Sequence, residues 1–278
     1  MFAKLALASA EPVDLLAHRF LVAFIIALPP LLLGREKLSL REFTSILPLG
    51  LFHPLLFFLL QTFGLTFVPS YEAGMLLAVA PVFTLVLAVV WLKERTNQKQ
   101  ILFILLSVAG VVFISAMKGT TLGSFGIQGV LLILGSAMAM ALYNVVARKL
   151  AKQFTVYKLT LMMSLMGFLF FNGIALTRRA AAGTLSGFFA PLAGHSYIIA
   201  ILFLGAAASF LSAFLSNYAL SKLQASKMSV FFNLSAVIAI FAGTVFLGEP
   251  LYWYHISGGA VIVAGVLGTS LCSPKAKI

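Results

Sequence analysis

Residues 63–115 and 218–270 align with each other at a constant offset of 155, without a gap. Leu65 falls on Leu220, Val82 on Val237, Leu92 on Leu247, Glu94 on Glu249, and Val108-Ala109-Gly110-Val111 on Val263-Ala264-Gly265-Val266. Of the 53 paired positions 11 are identical, and many of the others are apolar in both copies. The chain is 62% hydrophobic and 9% charged, where a soluble domain carries roughly 25% charged residues. Such a repeat in so apolar a chain is the pattern of membrane proteins in which two repeats rock about a shared site near the bilayer midplane.

A helix that crosses a bilayer needs about 20 mostly apolar residues. Nine segments meet that requirement: roughly 13–33, 44–66, 70–92, 99–117, 127–147, 157–176, 196–217, 226–247 and 253–272. They do not alternate as the strands of an outer-membrane barrel would. The net charge of +12 does not point to nucleic acid, because the cations sit in short loops between apolar runs, where they set topology. Arg35, Lys37, Arg41, Lys93, Arg95, Lys99, Arg148, Lys149, Lys152, Lys158, Lys222, Lys227, Lys275 and Lys277 make 14 of the 19 Lys and Arg and share one side. That side is the cytoplasm. The C-terminus is then cytoplasmic and the N-terminus outside, with Lys4, Lys118, Arg178 and Arg179 on the outer side and Arg19 within a span.

The basic loop Lys93-Glu94-Arg95 is therefore inside, whereas its counterpart Gly248-Glu249-Pro250 lacks Lys and Arg and is outside. Equivalent segments of opposite orientation make an inverted repeat, which needs an odd number of spans per half. The expected fold is an all-α membrane protein with nine transmembrane helices, built as two inverted five-helix repeats. Residues 1–117 form an incomplete first repeat, 126–272 the second, and 273–278 a short cytoplasmic tail. The first repeat has no counterpart of 127–147. Met1-Phe2-Ala3-Lys4-Leu5-Ala6 resembles the end of that helix, Arg148-Lys149-Leu150-Ala151. One N-terminal helix of roughly 20 residues is expected to be missing, through a late start or a truncation, with a true nine-helix form as the alternative.

Several short motifs add a family resemblance. Leu16-Ala17-His18-Arg19-Phe20 stands early in the first span; Ala80-Pro81-Val82-Phe83 precedes Leu92-Lys93-Glu94; Asn233-Leu234-Ser235-Ala236-Val237 precedes Leu247-Gly248-Glu249. Together, and at the repeat offset, they resemble the EamA-type branch of the drug/metabolite transporter superfamily over nearly the whole chain. Ala236 stands where that family usually has proline. The resemblance implies ten helices in two inverted repeats and export of small metabolites, amino acids or amphipathic compounds.

Polar groups inside a membrane are costly and mark candidate cavity positions. His53-Pro54 lies mid-span, where proline frees a carbonyl and histidine titrates near neutral pH. Asn144, Asn233 and Asn217 offer amide donors and acceptors that suit a polar or zwitterionic substrate. Tyr143 and Gln61 complete the expected cavity set; the competing role for each is interhelical glue. Arg19, Glu94, Glu249 and Pro81 are expected to be structural or gating. Arg19 either snorkels outward or pairs with Glu72 or Glu249. A glutamate at a helix C-terminus opposes the helix dipole, so Glu94 and Glu249 each require a fixed partner. The rows Gly135-xxx-Ala139 and Gly205-xxx-Ser209-xxx-Ala213 read as packing seams, and Tyr252-Trp253-Tyr254 as an interfacial belt.

No phosphate loop, His-Glu-x-x-His or Gly-x-Ser-x-Gly motif occurs, and His18, His53, His195 and His255 lack metal-ligand spacing. The lone Cys272 allows no internal disulfide. The expected function is a secondary transporter, probing two faces of a cell membrane by alternating access, with no cofactor and no enzymatic activity. Its expected partners are a small-molecule substrate and the lipid bilayer, not nucleic acid, and a homodimer is compatible with the reading. The alternatives are an exchanger of phosphorylated metabolites or nucleotide sugars, which needs several buried cations, an intramembrane enzyme on lipid-linked substrates, which needs clustered acid and base groups, and a non-transporting scaffold.

Overall fold

The computed structural model describes residues 2–7, 9–34, 39–68, 70–117, 127–247 and 250–272, apart from the side chains of 3–5, 70–72, 75, 239, 242, 243, 246 and 247. Glu249 and the side chains of Tyr71 and Glu72 therefore lie outside the described residues. Those residues contain helices and no strand. In chain order the helices are α1 Phe2–Leu7, α2 Pro12–Ala27, α3 Leu40–Phe67, α4 Ser70–Leu77, α5 Ala80–Leu92 and α6 Gln98–Met117. They continue with α7 Ile127–Leu150, α8 Val156–Ala181, α9 His195–Lys222, α10 Ala225–Phe231, α11 Leu234–Leu247 and α12 Trp253–Cys272. Among the described residues, six of these, α3, α6, α7, α8, α9 and α12, are long and apolar enough to cross a membrane. The other three expected spans are helical but interrupted: α2 stops before the Pro29–Leu32 turn, α4 gives way to α5, and α10 to α11.

Local chemistry explains most boundaries. Ser39 and Glu42 form a reciprocal capping box that starts α3. Thr155 caps α8 by accepting from Lys158 N at 3.2 Å. Lys93, at φ +52, closes α5 in the left-handed conformation. The break at Ala78–Val79 directly precedes Pro81, which cannot donate back to Leu77. A matching break at Phe232–Asn233 occurs with Ala236 in the proline position; there Ser235 N and Ala236 N turn to the carbonyls three residues back, Phe232 and Asn233. Tightened turns of this kind interrupt an α-helix without proline.

Helices recur at the sequence offset. α3 and α9 start 155 residues apart and end 155 apart, as do α6 and α12. The irregular turns inside α3 and α9, at 51–56 and 206–211, keep the same spacing. In the first, His53 is in extended geometry (φ −143, ψ 116); the second is a π-type wide turn.

The chain divides into two compact units, and neither is contiguous in sequence. The first comprises residues 1–55 and 150–221, the second 56–149 and 222–278. In the first, α2 packs along α8, with Phe20 stacked on Phe171 and Phe24 on Phe168. Gly205 of α9 lies directly on α2, its Cα hydrogen facing Val22 and the Arg19 carbonyl. In the second unit α6 and α12 pack backbone to backbone at Gly110, Gly258 and Gly265. Ala78, Leu85, Ile104, Val111, Ile114, Val230, Ile262 and Val266 form its buried apolar cluster.

Candidate functional site

Both helix breaks belong to the second unit, and a cavity of about 510 Å³ lies between them. Leu77, Ala78 and Ala80 border it from the α4–α5 break, and Phe232 and Asn233 from the α10–α11 break. Phe57 of α3, Gly74 of α4, Met140 of α7 and Val111, Ile114 and Ser115 of α6 add walls. Ser235, Ala236, Ile240 and Thr244 of α11, with Pro250 and His255, complete the lining. A volume of this size suits a small organic molecule. No Lys, Arg, Asp or Glu is among the described lining residues.

Asn233 is the central polar group. It is buried, lines the cavity, and donates from Nδ2 to Ser107 Oγ at 3.1 Å. Ser107 passes its own proton to Ile104 O at 2.8 Å. The amide is thus oriented by a hydroxyl that is itself fixed, leaving Asn233 Oδ1 as an acceptor for a ligand. Asn144 is fully buried one helical turn beyond Met140, and donates to Thr84 Oγ1 at 3.4 Å. Its Oδ1 has no hydrogen-bond partner among the described residues. Neither Asn144 nor the adjacent buried Tyr143 contributes to the cavity wall itself. Gln61 is half-buried on α3 outside the lining.

Two of the expected cavity residues are in the other unit. Asn217 is fully buried there, donating to Thr160 Oγ1 at 3.1 Å and to Met163 Sδ at 3.4 Å. His53, half-buried, sits at the irregular turn of α3. Arg19, in the same unit, gives Nε to Ser209 Oγ at 2.5 Å and Nη2 to Ala208 O at 3.1 Å. Ser209 therefore does more than form a seam: it helps solvate a buried guanidinium. Pro81 is buried in the first turn of α5, beside the first break.

Glu94 closes the opposite end of the second unit. Its carboxylate accepts from Ala225 N at 2.8 Å, Ser226 N at 3.3 Å and Ser226 Oγ at 2.7 Å. Gln224, the residue before α10, makes no side-chain cap of its own. Glu94 supplies it, placing negative charge at the N-terminus of α10. Asn97 and Lys227 bond the last carbonyls of α12, those of Cys272 and Ser270, at 2.6 and 2.8 Å. Hydrogen bonds to a charged group contribute about 1.5–3 kcal/mol each. Glu94→Ala is therefore expected to lower stability by about 2 kcal/mol, read as an earlier thermal melt of the purified protein. An unchanged melt would remove the cap from the account.

The sequence left several of these residues unmarked. Thr84, Ser107, Thr160 and Ser209 hold the buried amides and Arg19, yet single hydroxyls in apolar helices give no signal on their own. Met140 and Thr84 could have been found by stepping four residues from Asn144 and Ala80, since such positions share a helix face.

The EamA-like transporter family profile matches this chain twice, at residues 1–116 and 127–271. A Bacillus subtilis protein called an uncharacterized transporter, YcxC, is 47% identical over 98% of this chain and 88% of its own length. A probable terminal-alkyne amino-acid exporter of Streptantibioticus cattleyicolor is 26% identical, over 88% of this chain and 78% of that protein. A solved crystal structure shares the fold with a TM-score of 0.71 at 17% identity, covering 98% of this chain and 92% of the other. With its apolar helices and these relatives, the chain is a multi-pass membrane transporter, not an enzyme, and it belongs to the EamA-like transporter family.

Proposed function

We propose that the protein is a secondary transporter that exports small metabolites, amino acids or amphipathic compounds by alternating access across the cell membrane. The observation that carries this reading is the cavity between the two helix breaks, with apolar walls, an oriented amide at Asn233, and no charged side chain among its described lining residues. Broken helices beside a central site are how secondary transporters meet a polar group within the membrane. Residues 1–117 and 126–272 act as two repeats of opposite orientation, a reading supported by the recurrence of elements every 155 residues. Nine segments span, the C-terminus is cytoplasmic, and Asn144 lies below the cavity floor as a reserve polar contact. The lining residues cluster toward the Thr244, Pro250 and His255 end of the second unit, while the Glu94 end is tied shut.

An exchanger of phosphorylated metabolites would need Lys or Arg to meet the phosphate, and the described lining has neither. The test is counterflow of radiolabelled phenylalanine, other apolar amino acids and amphipathic amines in sealed vesicles holding purified protein, without nucleotide. Flux without ATP is expected, reduced by Asn233→Leu. An absolute need for ATP would reject secondary transport, and exchange of a sugar phosphate in place of these compounds would favour the exchanger.

A further inference from the structure

Two buried polar atoms in the first unit take no part in the cavity just described. Asp14 is 0% exposed and His18 is 1% exposed. Four residues apart on α2, they share one face of the helix, a single turn apart. Asp14 Oδ2 holds Arg179 through Nε, at 2.9 Å, and Nη2. Its Oδ1 makes no hydrogen bond among the described residues; Arg178 Nη2 stands 3.8 Å away and is bonded to Glu11. His18 Nδ1 lies 2.8 Å from Tyr197 Oη, and the ring packs against Phe188 at 4.5 Å. His18 Nε2 is buried with no hydrogen-bond partner among the described residues. A buried polar atom left unpaired costs about 1–3 kcal/mol, so two of them on one helix face favour a shared partner.

The neighbours select that partner. Two guanidiniums beside Asp14 repel a metal cation, and Asp14 repels an anion. A proton fits, because imidazole takes one near neutral pH. We propose that Asp14 and His18 form a proton-binding site. His18 Nε2 takes H⁺ from water, and Asp14 Oδ1 accepts the new N–H in competition with Arg178. Release returns the proton from Nε2 to water and Oδ1 to Arg178. Glu11 and Arg179, which border the cluster, also line an open cleft of about 720 Å³. The charged and titratable groups around the pair are Glu11 and Arg19 on α2, Arg178 and Arg179 on α8, and Tyr197 on α9. The 185–188 turn brings none, and Lys4 of α1 has its side chain outside the described residues. When the new His18 N–H engages Asp14 Oδ1, Arg178 is left to Glu11 alone. The end of α8 is then held differently in the two protonation states, which is how a proton gradient would bias the transporter. Only that last use rests on the transport reading.

The test follows imidazole ¹⁵N signals of the full-length protein in lipid nanodiscs, with labelled histidine, between about pH 4 and 9, bracketing the ordinary histidine range. His18→Gln assigns one of the four histidines. His18 is expected to pass from neutral to doubly protonated within that range, and Asp14→Asn to abolish the transition. Tyr197→Phe should retain it. Arg178→Ala removes the competitor without touching the buried carboxylate, so the transition should persist with a displaced midpoint even where Asp14→Asn fails to fold. A His18 signal that stays in one form throughout overturns the site, as does a midpoint identical in wild type and Arg178→Ala. The titration needs no substrate. A static His18 therefore overturns the proton site while leaving transport standing, and ATP-dependent flux overturns transport while leaving the titration.

Discussion

Gly74→Trp is expected to abolish transport while the protein folds as before. Gly74 lines the cavity between the helix breaks, and a Cβ added there meets nothing within 4 Å. The backbone thus tolerates a side chain, and an indole there has the cavity beside it to enter. Tryptophan is the bulkiest side chain, set here against a cavity of about 510 Å³. Flux in sealed vesicles should fall by about tenfold or more, equivalent to roughly 1.4 kcal/mol of lost binding. Thermal stability should change by no more than about 0.5 kcal/mol, as for substitutions into open space. Wild-type flux in a folded Gly74→Trp protein would remove this cavity from the transport path.

Gly265→Leu should have the largest effect on stability. A Cβ at Gly265 would stand 2.6 Å from Ser107 N and 2.8 Å from Phe103 O. Both are backbone atoms of α6, so neither can swing aside, and the two helices would have to separate. Overpacking of this kind costs about 3 kcal/mol or more, and here it also disturbs Ser107, which orients Asn233. Gly259→Ala serves as the contrast, since its Cβ would meet only Val237 side-chain atoms at 3.9 Å. The leucine variant should melt well below wild type in detergent and the alanine variant close to it. Equal melts would mean that α6 and α12 do not meet at this seam.

The positions of the helices were largely legible because apolar run length is a strong signal in a membrane chain. Their ends were less so. The Ser39-x-x-Glu42 capping box starts α3 four residues before the apolar run suggests. α8 runs five residues past its expected end, to Ala181, where Arg178 and Arg179 reach Glu11 and Asp14. The break before Pro81 has a local cause in sequence, whereas the one at Phe232–Asn233 has none and is visible only through the repeat. The buried amides were identifiable as unusual residues. Their surroundings were not: Asn233 faces the cavity, while Asn217, of the same residue type, turns its amide nitrogen to Thr160 and Met163. Residue type announces a polar group in an apolar helix, but the hydroxyls that claim it come from elsewhere in the chain.

The wide turn at 206–211 sets the rotational phase of α9. A π turn holds one residue more than an α turn, so everything beyond it is rotated by about 100° relative to a regular helix. Tyr197 lies before the turn and meets His18; Asn217 lies after it and meets Thr160. At 3.6 residues per turn the two would point about 160° apart, and absorbing one residue brings them to about 100°. One rod thereby aims two polar side chains at neighbours that a straight helix would place on opposite sides. A helical wheel drawn from 195 to 222 without the extra residue would assign the wrong face to every position after Leu211.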